Sequence, residues 1–440
     1  MDKIVFTEEQ KEILDENFDI NIAVLACAGS GKTTLLIERI KRNLELSNKK
    51  IVVLTFNNSI KNELKDKILI EKFKKIVVET FHGFTLHFIF PFSNEIQNLN
   101  YKINFDRKVN NYSEWKRIFL EENIICGSKN SKDDFIITYG NEILENNKSC
   151  QDFIKASFSS VYVDEVQDNN KERFRLLENL LNLELKNFVV GDEKQLINTF
   201  TGSSKELFFE YIFSNEKYKK KYLTKNFRCH ESINSFAKKL NTNILFYNTL
   251  EEEGVFLIKR EEDFLEIINS EKSLAILRFK NEDCKAFEKQ GFYHRKRNKI
   301  FDSKVIEDLI NIYFTSKNSI ELLKNQGIEN LNNKKIIDDF FETPNIELLN
   351  KVLIIFNMKD AITEENKYEL IKFILTEDNR RFFNYKDEKK ITLTIHSSKG
   401  LQFENVLIYL KDFYDKNKGF QDELFYVACT RAKTRLYVML

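Results

Sequence analysis

Residues 26–33 have the composition and spacing of a phosphate-binding loop. They read Ala-Cys-Ala-Gly-Ser-Gly-Lys-Thr and lie between apolar stretches at 22–25 and 35–37. A strand, a loop of small residues and a helix are the context that such a loop requires. Glycine has no Cβ, so the backbone at Gly29 and Gly31 can turn its N–H groups toward an anion. The helix that follows would add a favourable N-terminal dipole.

Four residues at this loop and at a later acidic pair could act on a bound nucleotide. Lys32 is expected to reach the β- and γ-phosphates, and the Thr33 hydroxyl to ligate Mg²⁺. Asp164 and Glu165 follow an apolar stretch at 160–163. Asp164 would hold Mg²⁺ through water, and Glu165 would orient and deprotonate the attacking water. The alternative is that the acidic pair only caps the N-terminus of a helix. The phosphate loop at 26–33 makes the role in a shared nucleotide site the better explanation.

Short buried strands, each ending in a polar loop, would carry these residues. Strands are predicted at 22–25, 51–54, 75–78, 160–163, 188–190, 273–277, 391–395, 406–409 and 435–438. Ligand contacts in open α/β sheets lie at the carboxyl ends of strands. This pattern of short strands and polar loops is absent from residues 85–157 and 301–389, which are predicted to be mainly helical insertions. The predicted fold class is therefore α/β.

Several residues have two explanations that the sequence leaves open. Gln10 either completes a capping box with Thr7 or reads the edge of an adenine. Phe56 is either a core residue or a ring that stacks on bases. Arg431 either counters a helix dipole or reaches a γ-phosphate. For the lysines at 219–221 a solvated charge run is the favoured interpretation.

Composition restricts the class of protein. The formal net charge is +1, so any nucleic-acid binding must use local patches and stacking. None of the six cysteines is spaced as C-x-x-C, which predicts reduced thiols and a cytoplasmic protein. The N-terminus is not expected to be a signal peptide, and no apolar run is long enough for a membrane span.

The motifs, in their order along the chain, resemble those of the UvrD/Rep-like branch of superfamily 1 DNA helicases. Besides the phosphate loop, the series comprises Phe6–Gln10, Leu54–Asn58, Thr80–Gly83, Asp164–Asp168, Gly191–Gly202, Asn226–Arg228, Ala275–Lys280, Leu393–Phe403 and Phe425–Lys433. The resemblance implies two RecA-like parallel-sheet domains that clamp ATP between them, with single-stranded DNA crossing their tops. The implied domains are 1–84 with 158–222, and 223–300 with 390–440, with helical insertions at 85–157 and 301–389.

The resemblance also implies roles for individual residues. Contacts to ATP are implied for Gln10, Ala28, Gly29, Ser30, Gly31, Lys32, Thr33, Thr34, Phe227 and Gln402. Catalytic roles are implied for Lys32, Glu165, Gln195, Arg228 and Arg431. Mg²⁺ is implied at Thr33 and Asp164. DNA contacts are implied for Phe56, Asn57, His82, Phe200 and His396.

Three positions depart from the family pattern. Thr34 stands where an arginine often stacks on adenine, and Gln402 stands where a glutamate usually holds the ribose. Asn198 replaces a tyrosine of the DNA-facing motif.

The predicted function is ATP-driven movement along single-stranded DNA, or unwinding of a duplex with a single-stranded tail. The resemblance implies 3′-to-5′ travel. The alternative is a DNA-sensing ATPase that regulates a partner nuclease, like the helicase subunits of Gabija-type anti-phage systems. That alternative depends on the short second insertion and on the end of the chain directly after the last motif. A kinase or small GTPase would leave the nucleic-acid-facing motifs unexplained.

Overall fold

The computed structural model describes residues 5–46, 48–55, 74–96, 101–238, 254–295, 304–315, 317–325, 333–356, 363–376, 379, 388–415 and 419–440. The chain divides into two compact units. The first comprises residues 1–240 with 421–430, and the second 241–420 with 431–440. No helix in the described ranges is long and apolar enough to cross a membrane.

The first unit is built on a parallel sheet. Its strands are β1 (Asn21–Ala26), β2 (Lys50–Leu54), β3 (Ile76–Glu79), β4 (Lys102–Val109), β5 (Ile124–Ser128), β6 (Phe158–Val163), β7 (Lys186–Gly191) and β8 (Tyr218–Leu223). Six of them form one sheet in the order β3-β2-β6-β7-β1-β8, with every pair parallel. β4 and β5 form a separate parallel pair within the first insertion. All the carboxyl ends of the main sheet therefore meet at one edge.

Helices cover this sheet and form most of the first insertion. Those described are Glu8–Asp15, Lys32–Asn43, Phe81–Phe84, Tyr112–Glu122, Phe135–Asn146, Lys148–Ser157, Lys171–Asn182, Lys205–Phe208, Glu231–Lys238 and Asp422–Cys429. The insertion packs around Trp115, which is fully buried and contacts the rings of Phe119 and Tyr139. These aromatic residues therefore belong to its core.

The second unit repeats the parallel-sheet plan. Its strands are β9 (Gly254–Ile258), β10 (Leu274–Arg278), β11 (Tyr293–His294), β12 (Lys390–Thr394), β13 (Phe403–Tyr409), β14 (Tyr414–Asp415), β15 (Gly419–Phe420) and β16 (Ala432–Met439). Six of them form one parallel sheet in the order β11-β12-β10-β13-β16-β9. β14 and β15 form a short antiparallel pair.

The described helices of the second unit are Glu261–Ser270, Asn281–Lys285, Lys304–Thr315, Ser319–Asn325, Lys334–Glu342, Ile346–Ile355 and Glu364–Leu375. The last five form the insertion between β11 and β12 and have their own apolar core. The predicted fold class, α/β with two parallel-sheet domains and helical insertions, is confirmed. The domain limits stay a prediction; the compact units place 223–240 and 421–430 with the N-terminal sheet.

The lysine run at 219–221 lies in an edge strand. Lys219 and Lys221 of β8 pair with Glu16 at 2.7 and 2.8 Å, and these lysines lower the pKa of the Glu16 carboxyl. Lysines are common on sheet edges because they oppose pairing with another chain. A solvated charge run stays the favoured interpretation of these lysines. Their strand was not predicted, because charged residues dominate it.

A buried arginine joins the first helix to the helix after the phosphate loop. The Arg39 guanidinium donates hydrogen bonds to the carbonyl oxygens of Ile13, Leu14 and Glu16 at 2.7–3.1 Å. These are carbonyls at the end of helix Glu8–Asp15, which lack partners within the helix. Arg39 therefore fixes the helix that carries Gln10 against the one that begins at Lys32.

Candidate functional site

The phosphate loop connects β1 to helix Lys32–Asn43. Gly29 and Gly31 have φ of +70° and +81°, conformations that side chains with a Cβ rarely adopt. The Lys32 side chain is buried at the first position of the helix. The loop thus has the backbone curl that the sequence predicted, and Lys32 lies at its end.

Gln10 contacts this loop from the first helix. Its Oε1 accepts a hydrogen bond from the Thr7 N–H, and the Thr7 hydroxyl accepts one from the Gln10 N–H, so the predicted capping box is present. Its Nε2 also donates to the carbonyl oxygen of Ser30 at 3.1 Å. Gln10 therefore holds the loop as well as capping the helix; adenine reading stays a prediction.

Asp164 follows β6 and faces the helix after the loop. The Thr33 hydroxyl lies 3.4 Å from Asp164 Oδ2, while the buried Oδ1 has no hydrogen-bond partner among the described residues. Burial raises the pKa of the Asp164 carboxyl to about 7; the Glu165 charge adds to this rise, and Lys32 opposes it.

A carboxylate oxygen without a described partner, beside a hydroxyl, fits Mg²⁺, which takes a few protein ligands plus phosphate oxygens. No cluster of three or more His, Cys, Asp or Glu suited to a metal occurs among the described residues. The fit therefore concerns only Thr33 and Asp164, together with the phosphates of a nucleotide.

A chain of polar contacts begins at Glu165 and crosses to the next strand. Glu165 has a left-handed backbone, with φ of 51°, a strained conformation that clusters at functional sites. Its Oε2 accepts a hydrogen bond of 2.6 Å from the Gln167 amide, whose oxygen accepts the Asp192 N–H at 3.0 Å. Asp192 Oδ2 accepts a bond of 2.7 Å from Gln195. The residues after β6 and β7 are therefore joined into one network.

The segment after β8 also reaches the loop. The Phe227 N–H donates to the Gly29 carbonyl oxygen at 2.9 Å, while the Phe227 ring is 54% exposed. The Arg228 guanidinium donates to the Thr430 carbonyl oxygen at 3.3 Å. Both residues lie in the first unit, beside the loop that they are predicted to serve.

The remaining predicted ATP contacts are distributed over both units. Thr34 is half-buried at the start of helix Lys32–Asn43. Gln402 is exposed in the second unit. Arg431 is buried there, and its guanidinium donates to the Leu401 carbonyl oxygen at 3.1 Å. The roles of all three stay predictions.

The predicted DNA contacts that the structure describes lie in short helical segments that follow strands. His82 follows β3, and its Nε2 lies 2.7 Å from Asp134 Oδ1. Phe200 follows β7 and is 56% exposed. In the second unit His396 follows β12 and lies 6.1 Å, ring to ring, from Phe279. Phe56 and Asn57 lie outside the described residues.

Two family models match the chain. The UvrD/REP helicase N-terminal domain matches residues 6–135 and 123–215, and the UvrD-like helicase C-terminal domain matches 391–439. The N-terminal match includes the phosphate loop and the acidic pair. The chain belongs to the UvrD/Rep helicase family.

Curated relatives agree with this assignment. The Gabija protein GajB of Bacillus cereus is 29% identical over 96% of this chain and 93% of its own length. The ATP-dependent DNA helicase Rep of Buchnera aphidicola (Schizaphis graminum) is 26% identical over 51% of this chain. This chain covers only 42% of that Rep protein. A solved structure, the Pif1 helicase from Candida albicans, covers 99% of this chain and 95% of its own, with 12% identity and a TM-score of 0.45.

Two residues of this UvrD/Rep-family site were missed by sequence reasoning. Gln167 lies within the acidic motif Asp164–Asp168, but roles were predicted only for Asp164 and Glu165. The Tyr426 hydroxyl accepts a hydrogen bond of 3.0 Å from the Ala28 N–H, and burial raises the pKa of this tyrosine. A sequence signal was present, because residues 424–429 are almost all apolar, which predicts a buried helix whose one hydroxyl needs a partner.

Replacing Gln167 with alanine is expected to lower kcat for nucleotide hydrolysis about 10- to 100-fold. Losses of this size follow when a residue that orients a catalytic side chain, here Glu165, is removed. The change frees Glu165 and leaves the buried Asp192 N–H unpaired, which costs about 1–3 kcal/mol. The measurement is steady-state hydrolysis together with thermal unfolding. Gln151→Ala is the control, since that amide binds only backbone carbonyls at 144 and 145. An unchanged kcat in Gln167→Ala would contradict the positioning role.

Proposed function

We propose that this helicase hydrolyses ATP to move along single-stranded DNA, in the 3′-to-5′ direction implied by the family resemblance. The observation that supports this most is the assembly at one sheet edge. Lys32, Thr33, Asp164 and Glu165 lie there after β1 and β6, and Phe200 follows β7. The residues predicted to bind phosphate and an exposed aromatic ring thus share the carboxyl edge of the same parallel sheet.

Within the ATP site we assign roles to this chain's own residues. Lys32 and the loop N–H groups would bind the phosphates, and Glu165 would accept a proton from the attacking water. The hydrogen-bond network from Gln167 to Gln195 would hold the Glu165 carboxylate in a fixed position relative to Gln195, the proposed γ-phosphate contact. Mg²⁺, held by Thr33 and through water by Asp164, would neutralise charge on the phosphates.

The proposed arginine contacts to the γ-phosphate are Arg228 and Arg431. Arg228 is supported by its place beside the loop, because a Cβ added at Gly29 would lie 2.7 Å from the Arg228 Cβ. The hydrogen bond from the Arg228 guanidinium to the Thr430 carbonyl oxygen has a neutral acceptor. Guanidinium binds phosphate more strongly, since charge-assisted hydrogen bonds are about twice as strong as neutral ones. For Arg431 the support is the motif alone.

The nucleic-acid contacts are proposed for His82, Phe200 and His396, with Phe56 and Asn57 added from the motif alone. The net charge of +1 disfavours binding by a general positive field. Ring stacking together with local cations is the alternative that single-strand binders use. The exposed Phe200 ring is the described residue that best fits this mode.

Replacing Phe200 with alanine is expected to weaken binding of a single-stranded oligonucleotide about 5- to 150-fold, because stacking contributes roughly 1–3 kcal/mol per base. DNA-stimulated hydrolysis should require correspondingly more oligonucleotide, while the rate without DNA stays the same. Phe213→Ala is the matched control, because that ring is 38% exposed and pairs with Phe209 in the same unit. Equal binding by the two variants would remove Phe200 from the interface.

The test of the function itself is ATP hydrolysis with and without single strands of DNA and RNA. We expect stimulation by a single strand, and Glu165→Gln to abolish it. Hydrolysis that no single strand stimulates would overturn the translocase proposal. Duplexes with a 3′ or a 5′ tail then test polarity by strand separation.

The similarity to a Gabija protein over 96% of the chain favours a second candidate. In it, the chain is a DNA-sensing ATPase that regulates a partner nuclease in anti-phage defence. Strand separation by the purified chain discriminates between the two. Rapid unwinding supports the autonomous helicase, whereas DNA-stimulated hydrolysis without unwinding supports the switch.

A further inference from the structure

A buried carboxylate outside the ATP site joins three segments of the first unit. Asp134 Oδ1 lies 2.7 Å from His82 Nε2, and Oδ2 accepts a hydrogen bond of 3.0 Å from Arg173. Asn170 Nδ2 lies 3.4 Å from the same Oδ2. Burial alone would raise the pKa of Asp134, but His82 and Arg173 hold it well below its usual range.

The partners of Asp134 come from functionally distinct places. His82 follows β3 and is a proposed nucleic-acid contact. Asn170 and Arg173 begin helix Lys171–Asn182, directly after the acidic motif at 164–168. Asp134 itself belongs to the first insertion, so one side chain links all three.

The loop that carries Asp134 also contacts the second proposed DNA residue. The Ser131 hydroxyl donates to the Phe200 carbonyl oxygen at 2.6 Å. A cavity of about 210 Å³ opens beside this loop, and its lining includes His82, Lys108 and Asp134. The cavity therefore combines a histidine, a cation and apolar ring edges, a chemistry suited to a nucleotide unit of a single strand.

Fold stability alone is a weak explanation for this cluster. Buried ion pairs are often no better for stability than apolar residues of similar volume. The His82 side chain is also 38% exposed, whereas that of Asp134 is 5% exposed. One end of the pair is thus fixed in the interior, and the other is available to a ligand.

We infer that Asp134 is a positioning residue for nucleic-acid binding, which holds the His82 imidazole at the cavity where a nucleotide of the strand binds. The inference rests on the proposed function. It assigns the first insertion a direct part in strand binding, and it connects His82 to the helix after the acidic motif through Arg173.

The experiment measures binding of labelled oligothymidine by fluorescence anisotropy, and ATP hydrolysis without DNA, for Asp134→Asn, His82→Ala and the double variant. We expect Asp134→Asn and His82→Ala each to weaken binding about tenfold. The double variant should bind no more weakly than His82→Ala, since Asp134 acts through the imidazole. ATP hydrolysis without DNA reports whether each variant folds into an active first unit. Asp152→Asn is the control, because that carboxylate lies in the same insertion, pairs with Lys148 at 3.0 Å and does not line the cavity.

Asp134→Asn could also disturb folding, because it leaves Arg173 without its charged partner. Asp134→Glu keeps a carboxylate for Arg173 but displaces it from His82, and it should weaken oligothymidine binding in the same direction. Additive losses in the double variant, or wild-type affinity in both folded Asp134 variants, would overturn the inference alone. A wild-type chain that binds no single strand would overturn the proposed function as well.

Discussion

Glu165→Gln is expected to lower kcat for ATP hydrolysis about 10²- to 10⁴-fold, the usual contribution of a general base. KM for ATP should change little, because the phosphate loop that binds the nucleotide is untouched. Glutamine has nearly the same shape but cannot accept a proton. Its oxygen can still accept the bond that Gln167 donates to Glu165 Oε2, so the position of the side chain is retained.

The control for this prediction is Glu184→Gln. Glu184 also has a left-handed backbone, with φ of 66°, and its carboxylate pairs with Lys155 at 3.0 Å on the surface. Both substitutions therefore remove one charge at a similar backbone conformation. The measurement is steady-state hydrolysis with saturating DNA, alongside ATP binding by fluorescence. Retained hydrolysis in Glu165→Gln would assign the base to another residue.

Gly29→Ala is expected to abolish tight ATP binding and to destabilise the first unit. An alanine at φ +70° costs about 1–2 kcal/mol from its backbone alone. Its Cβ would also lie 2.5 Å from Asn226 Oδ1 and 2.7 Å from Arg228 Cβ. Asn226 cannot withdraw without loss, because that oxygen accepts the N–H groups of Arg228 and Cys229. Affinity for ATP should fall by more than about tenfold, which is 1.4 kcal/mol or more.

Gly291→Ala measures the cost of a positive φ for alanine without the cost of close contacts to the added Cβ. Gly291 has φ of +82°, and nothing lies within 4 Å of an added Cβ. It should therefore lower the free energy of unfolding by only about 1–2 kcal/mol and leave ATP binding unchanged. Chemical denaturation and nucleotide titration of both variants provide the comparison. Equal effects of the two substitutions would mean that close packing at the phosphate loop is unimportant.

The strands that carry the phosphate loop, the acidic pair and Gln195 were predictable because each is a short, mostly apolar run in which at least half of the residues are β-branched. The stretches at 22–25, 160–163 and 188–190 all lie within observed strands β1, β6 and β7. β8 was missed because only its end residues, Tyr218 and Leu223, are buried and three lysines lie between them, so the sequence reads as a charge run. β4 and β5 were missed because β4 is mostly exposed and lacks a buried run.

Residue types and spacing also identified the phosphate loop, the capping box at Gln10 and the acidic pair, since each is a local pattern. The site beyond them depends on contacts that chain order does not encode. Tyr426 meets Ala28 across 398 positions, and Asp134 meets His82 across 52. A side chain's partner at such a separation is set by the packing of whole elements.

The sequence by itself thus determined the family and the parallel-sheet architecture, and it predicted the residues that would bind phosphate and metal. These follow from local requirements of backbone conformation, burial and chemistry. Only the tertiary structure decided that Gln167 joins Glu165 to Asp192, and that a carboxylate of the insertion holds His82. The physical reason is that a buried polar group must find a hydrogen-bond partner, and only the folded chain determines which groups are within reach.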